Sequence, residues 1–188
     1  MLRCLLVVIA LALTNTSPAK DWQIERATSS LSFSGTYQDE PFQGKFRKFD
    51  AAIHYDPADL STAQFDVNVD ITSVTTDNEE RDSTLIGDDF FAVSKFPKAH
   101  FASEKFSKAV DGKIEAQGNL TIRDKKRPIV LLVKFDPSGG SNAVLEVDTE
   151  LNRLDFDIGT GEWKDLKLIG PTVRVHGHLV LTASHPEQ

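Results

Sequence analysis

His176 and His178 lie two apart with Arg174 on one parity of an alternating run near the carboxyl end, and imidazoles so placed on a strand can hold a metal ion. A third ligand would have to come from His54, or from His100 with Glu104 four residues on, and none of these is fixed by spacing to the pair. One reading is therefore a metal-dependent enzyme or sensor; the other is an exposed strand face, the usual meaning of so short a motif. Two arginine–aspartate pairs, Arg81 with Asp82 and Arg153 with Asp155, could orient a polar head group, because a guanidinium fork matches oxygen acceptors. They serve equally well as structural ion pairs. Asp88-Asp89-Phe90-Phe91 reads either as a gate, with rings over a cavity mouth and acids toward water, or as a plain contact between a helix and a sheet. No Gly-x-Ser-x-Gly elbow, His-Glu-x-x-His, phosphate loop or dinucleotide fingerprint occurs, so no catalytic residue, metal ligand or cofactor is assigned and a non-enzyme is expected.

These residues need elements to position them. Residues 75–101 form the one long interruption in a chain that otherwise alternates like strands. Thr76 with Glu79 matches a capping box, which predicts a helix starting near Thr76 with Arg81 and Leu85 on one face. Gly87 interrupts it, Asp88 or Asp89 caps a second short turn carrying Phe90 and Phe91, and Pro97 ends any helix. The segment is expected to act as a lid tied at both ends to strands.

Strands are predicted around Trp22 and Ile24, then from Leu31 to Tyr37. The parity switch between Phe42-Gly44-Phe46 and Phe49-Ala51-Ile53-Tyr55 implies a bend at Arg47 and Lys48. Phe65, Val67, Val69 and Ile71 alternate with polar residues, and Asp111-Gly112 marks a hairpin turn. The apolar run from Ile129 to Phe135 implies a strand that is covered on both faces or crosses the thickest packing, and Leu145 to Ile158 is long enough for one bent strand. Val173 to Leu181 closes the series. Eight or so antiparallel strands point to a sandwich or an up-and-down barrel. Gly44, Gly118 and Gly177 fall on inward faces, where they either leave room for a ligand or allow strand curvature.

The first nineteen residues, with Arg3, an apolar run and small residues Ser17 and Ala19, read as a cleaved signal peptide. Residues 20–188 are then one domain of 169 residues. Cys4 is the only cysteine, so that domain has no thiol for a disulfide or a cysteine-ligated metal and must rest on an apolar core. Its charge, 20 basic against 28 acidic residues, is −8, which repels nucleic acid. The Lys125-Lys126-Arg127 cluster beside Asp124 reads as a hairpin turn.

Five segments in order resemble the YceI-like, polyisoprenoid-binding periplasmic proteins of bacteria: Gly44 to Pro57, Thr75 to Phe91, Phe96 to Ser103, Gly118 to Leu131 and Arg153 to Gly159. The resemblance implies an all-β, eight-stranded antiparallel lipocalin-like β-barrel with a short helical lid, secreted to the periplasm. Its apolar interior would hold an isoprenoid-type lipid, a polyisoprenoid or isoprenoid quinone, as carrier or reservoir, with transient membrane contact for exchange. The expected ligand-binding residues are Phe33, Phe46, Phe65, Phe90, Phe91, Phe101 and Phe156, with Arg81 and Arg153 for the head group. Ala27 to Ser30 and Asp157 depart from the family's usual His-Ser pair and glycine. The Gly159 to Asp165 stretch is similar to members associated with b-type cytochromes, leaving such a membrane partner, and a homodimer, open.

Overall fold

The computed structural model describes residues 20–139 and 141–184; the signal-peptide reading falls on residues 1–19, outside them. Apolar and polar alternation produces, in chain order, β1 (Lys20–Ile24), β2 (Ser30–Tyr37), β3 (Glu40–Phe46), β4 (Phe49–Asp56), β5 (Asp59–Asp70), β6 (Val74–Thr75), α1 (Glu79–Ile86), β7 (Lys98–Lys108), β8 (Ile114–Ile122), β9 (Lys125–Gly139), β10 (Asn142–Asn152) and β11 (Thr172–Ala183). Three pairs are single wall strands with a break. β1 and β2 lie in succession along β11, Trp22 opposite Ala183 and Leu31 opposite Gly177. β4 and β3 follow along that strand, with the break at Arg47 and Lys48, where the parity switch predicted it. β5 and β6 run beside them in turn. The wall therefore has eight antiparallel strands, and the β1–β11 pairing closes it into a barrel. Closure leaves no free edge at that seam, which a sandwich of the same strands would have exposed.

The barrel is filled unequally. At one end Tyr55, Phe65, Phe106, Phe135 and Trp22 interlock, with Phe65 and Phe106 edge to face at 4.8 Å and Tyr55 and Phe135 at 5.1 Å. The indole N–H of Trp22 donates to the Tyr55 carbonyl at 2.9 Å, so the plug carries no unpaired indole donor. The second apolar cluster, with Phe33, Leu85, Phe90, Phe91 and Phe156, occupies the other end.

Three expectations need correction. The helix begins at Glu79, with Asn78 as N-cap accepting from the Arg81 amide at 2.9 Å; the Thr76 hydroxyl instead donates to Asp82 Oδ1 at 2.7 Å. A tertiary carboxylate outcompetes the local capping box. The short turn expected after Gly87 is present and carries Phe90 and Phe91, with the Phe90 and Ala92 amides donating to the Gly87 carbonyl at 3.1 and 2.8 Å. The bent strand expected to reach Ile158 stops at Asn152, whose side chain caps a 3₁₀ turn over Arg153–Phe156 that ends at Asp157 in the left-handed region, φ 53°. β9 is not covered on both faces, for Val130 and Leu132 are 42% and 41% exposed.

Asp82 ties α1 to the barrel. Its carboxylate accepts from the Thr75 and Thr76 hydroxyls at 2.8 and 2.7 Å and from the Thr76 amide at 2.6 Å. Burial pushes this carboxyl up, but the hydrogen bonds from Thr76 and Thr75 and the Arg47 charge outweigh it and hold it below the usual aspartate value. A depressed carboxylate stabilises the fold above its unfolded pKa, about 3.9, and that contribution is lost as pH falls through the folded value. Amide protection across α1, taken against the intrinsic exchange rate at each pH, is therefore expected to fall below about pH 4. Asp82→Asn should produce the faster exchange already at neutral pH, at a cost of about 1 kcal/mol given its solvent contact. Exchange in α1 that is identical in the variant and the parent would sink this role.

Candidate functional site

Beyond the aromatic plug the barrel encloses a cavity of about 500 Å³. Val67 and Val69 of β5, with Ile71 at the start of the 3₁₀ turn that follows it, form one side; Val147 and Leu151 of β10 with Val173 and Val175 of β11 form another. These are positions of strict alternation, so the same pattern that makes the strands faces the cavity with aliphatic groups.

Seven of the eight remaining expected site residues, after Phe65, meet there as wall: Phe33, Phe46, Phe90, Phe91, Phe101, Phe156 and Arg81. Phe65 does not; at 1% exposure it belongs to the plug, between Tyr55 and Phe106. Phe90 and Phe91 are packed into the chamber wall. Phe91 packs edge-on to Phe46 at 6.1 Å and Phe90 against Trp163 at 5.5 Å. The Asp89 carbonyl accepts from the Gly159 and Thr160 amides, both at 2.8 Å, and its carboxylate from the Thr160 hydroxyl at 2.7 Å. The lid segment and the loop after β10 are thereby latched together. Gly118 leaves no room of its own: a Cβ there would stand 2.7 Å from Phe101 Cζ and 2.3 Å from the Ala102 carbonyl oxygen, so the missing side chain lets the ring and strand approach.

Arg153, the eighth, touches the cavity but has no donor left for a head group. Its Nε donates to Gly170 O, its Nη1 to Ile158 O and Gly159 O, and its Nη2 to Trp163 O and Ile169 O, at 2.7–3.2 Å. All five guanidinium donors are used, the side chain is buried, and Asp155 is exposed and not its partner. Burial pushes its pKa down from the ordinary arginine value. Arg153 is thus the hub around which residues 153–171 fold, and through it Trp163 reaches the cavity wall.

Arg81 is placed differently. α1 lays it at the cavity mouth with Asn78, Glu80 and Thr84, its guanidinium 5.3 Å from the centre of the Phe42 ring. The expected Arg81–Asp82 pair is not formed, because Asp82 is taken by Thr75 and Thr76. Among the described residues no carboxylate lies within ion-pair distance of Arg81, leaving a cation stacked on a ring at the entrance of an apolar chamber. Such a group can accept an oxygen-bearing head.

The histidines face outward. His176 Nδ1 lies 2.8 Å from Asp148 Oδ1, and His178 Nδ1 lies 3.7 Å from Glu146 Oε1, each a cross-strand neighbour on β10. Among the described residues no three histidine, cysteine or acidic side chains gather as a metal site. Trp163, Tyr37 and Phe42 are wall or rim residues that were not among the expected ligand-binding residues. Trp163 lies on a short 3₁₀ turn, Gly161–Lys164, where strand alternation gives no signal, and the Arg153 hub holds it inward; Phe42 shares its parity with Phe46 and could have been found from it.

The model of the YceI-like domain family matches residues 22–181. A UPF0312 protein of Vibrio cholerae is 31% identical over 178 residues, covering 87% of this chain and 94% of that one. Among solved structures, BcnA of Burkholderia cenocepacia superposes with a TM-score of 0.79 at 27% identity, over 84% of this chain and 98% of that chain. A structure described as a polyisoprenoid binding domain from Saccharophagus degradans superposes with a TM-score of 0.69 over 88% of this chain and 99% of that chain; at 14% identity the likeness is one of fold. With the match spanning almost every strand of a closed eight-stranded barrel, this chain belongs to the YceI-like family.

Proposed function

We propose that this protein binds an isoprenoid-type lipid in the barrel cavity and serves as its carrier or reservoir, without catalysing a reaction. The observation that carries the reading is the pairing of an apolar chamber of about 500 Å³ with one uncompensated cation, Arg81, at its mouth. The description of the Saccharophagus degradans domain as polyisoprenoid binding supports the same ligand class. Export to the periplasm through residues 1–19 and transient contact with a membrane belong to this reading, as does a membrane b-type cytochrome for which the Gly159 to Asp165 loop argues.

Removing a tail from water is worth about 0.8 kcal/mol per methylene, but a lipid's real alternative is a bilayer, which is already apolar. Transfer from bilayer to barrel is close to neutral for the tail. Selection therefore rests on chamber shape and on the mouth, where Arg81 meets the head group, and loading is reversible.

The test is to isolate the secreted protein without detergent, extract it with organic solvent and analyse the extract by mass spectrometry. A stoichiometric isoprenoid is expected. Arg81→Gln should bind a headless prenol as the parent does and lose roughly fivefold to tenfold affinity for a phosphorylated one, the worth of one charge-assisted contact. An extract with no isoprenoid, both as isolated and after incubation with isoprenoid-doped vesicles, would sink the proposal.

A further inference from the structure

The barrel wall is split beside the cavity. β9 and β10 pair from Gly139 opposite Asn142 as far as Leu132 opposite Asp148, and there their ladder stops. β9 nevertheless continues along β8 to Lys125, and β10 continues along β11 to Asn152. Residues 125–131 and 149–152 thus diverge, opening a slit roughly 13 Å long at the usual rise per residue. One hydrogen bond spans it, from the Thr149 hydroxyl to the Val130 carbonyl at 2.9 Å. That bond shows that the Val130 backbone points at β10. By strand alternation so does the backbone of Pro128, which has no N–H to offer a ladder there.

The slit joins two spaces. Outside it runs a cleft of about 1140 Å³, and Phe33, Ile129, Thr149, Leu151, Phe156 and Val175 line both that cleft and the internal cavity. Among the polar side chains of that cleft, Glu104, Glu115, Arg127 and Glu150 included, the exposed Val130 and Leu132 form an apolar strip, which a strand facing only water has no reason to present side by side. The slit is bounded at one end by the resumed ladder and at the other by the 3₁₀ turn of residues 153–156, with the Lys125–Asp157 ion pair at 3.2 Å beyond it.

Chamber size gives the slit its use. Allowing about 30 Å³ for each carbon with its hydrogens, close to the liquid volume of a water, a chamber of about 500 Å³ takes some seventeen carbons, between three and four isoprene units. The aromatic plug blocks extension along the barrel axis. Building on the lipid reading above, we propose that the β9–β10 slit is a lateral portal: an isoprenoid longer than the chamber threads its distal units between Ile129 and Leu151 and lays them in the outer cleft against Val130 and Leu132.

The test is chain-length-dependent protection of a thiol on the apolar strip. In a Cys4→Ser background, Val130→Cys is loaded from phosphatidylcholine vesicles with either farnesol, which fits the chamber whole, or decaprenol, which does not. Retention of each prenol is checked by extraction, and the rate of alkylation by a maleimide is read in the same samples. Decaprenol is expected to slow alkylation by about tenfold or more and farnesol by less than about twofold, while an Ile86→Cys thiol on α1 reacts alike in all states. Thr149→Val, which lacks the single bond across the slit, should release decaprenol to vesicles several times faster. If both prenols are retained and the Val130→Cys thiol reacts equally fast with each, or if decaprenol shields Ile86→Cys instead, the portal is wrong and the lipid reading stands. If neither prenol is retained, the lipid reading itself fails and the portal with it.

Discussion

Val69→Trp is expected to cut isoprenoid loading at least about tenfold while leaving the barrel nearly as stable as before. Val69 is half-buried on β5, faces the chamber, and sits opposite Ala99 of β7, so an indole there has empty space to enter in place of a packed neighbour. Overpacking costs 1–3 kcal/mol only where atoms already touch, and a void accepts the ring with less strain. The opposite end of the barrel supplies the contrast. Phe65→Ala removes a ring that is 1% exposed and locked between Tyr55 and Phe106, so it should cost about 3–5 kcal/mol. Urea unfolding and extracted lipid, measured on both variants, separate the two roles. A Val69→Trp protein that still loads a full equivalent of lipid shows that the ligand lies elsewhere, and a Phe65→Ala protein of parental stability shows that the plug is not solid.

Arg153→Met should be the most destabilising single change outside that plug, at roughly 3–5 kcal/mol. The substitution removes five donors at once and leaves the carbonyls of Ile158, Gly159, Trp163, Ile169 and Gly170 to find water in a region that the loop itself covers. Because these carbonyls come from both ends of the loop, the loss should loosen all of residues 157–171 together. Trp163 would leave Phe90, and its fluorescence should shift toward the exposed value before the barrel unfolds. Arg153→Lys is not a conservative repair, since three donors on a point charge cannot reach five planar acceptors; an intermediate loss is expected. A variant with native Trp163 emission and unchanged unfolding midpoint would overturn the hub.

The strand alternation was legible wherever one face meets the interior. Phe65 to Ile71 and Val173 to Leu181 announced their inward sides, and the parity switch at Arg47 and Lys48 announced the bend. Alternation says that a side chain points in, however, and not what it meets there. Phe65 and Phe101 carry the same signal and share one packed cluster, yet Phe65 is enclosed within it while Phe101 also faces the chamber. The two arginines were equally alike on paper. Arg81 and Arg153 each stand beside an aspartate in the sequence, and neither aspartate became the partner: Asp82 went to two threonines, and Arg153 to five carbonyls contributed by residues up to seventeen positions away. The apolar run of β9 was misleading for a related reason. Val130 and Leu132 looked like a buried face, and they point outward, Leu132 at the last pair of the β9–β10 ladder and Val130 just beyond it.

By itself the amino-acid order determined that the wall is made of antiparallel strands, where it bends, and which family it resembles, because those properties are written in neighbours two to five residues apart. Only the tertiary structure decided that one end of the barrel is solid and the other hollow, which cation is spent on the loop and which stands at the mouth, and where the wall parts. Each of these depends on which distant groups compete for the same space or the same hydrogen-bond donor, and local pattern holds no record of that competition.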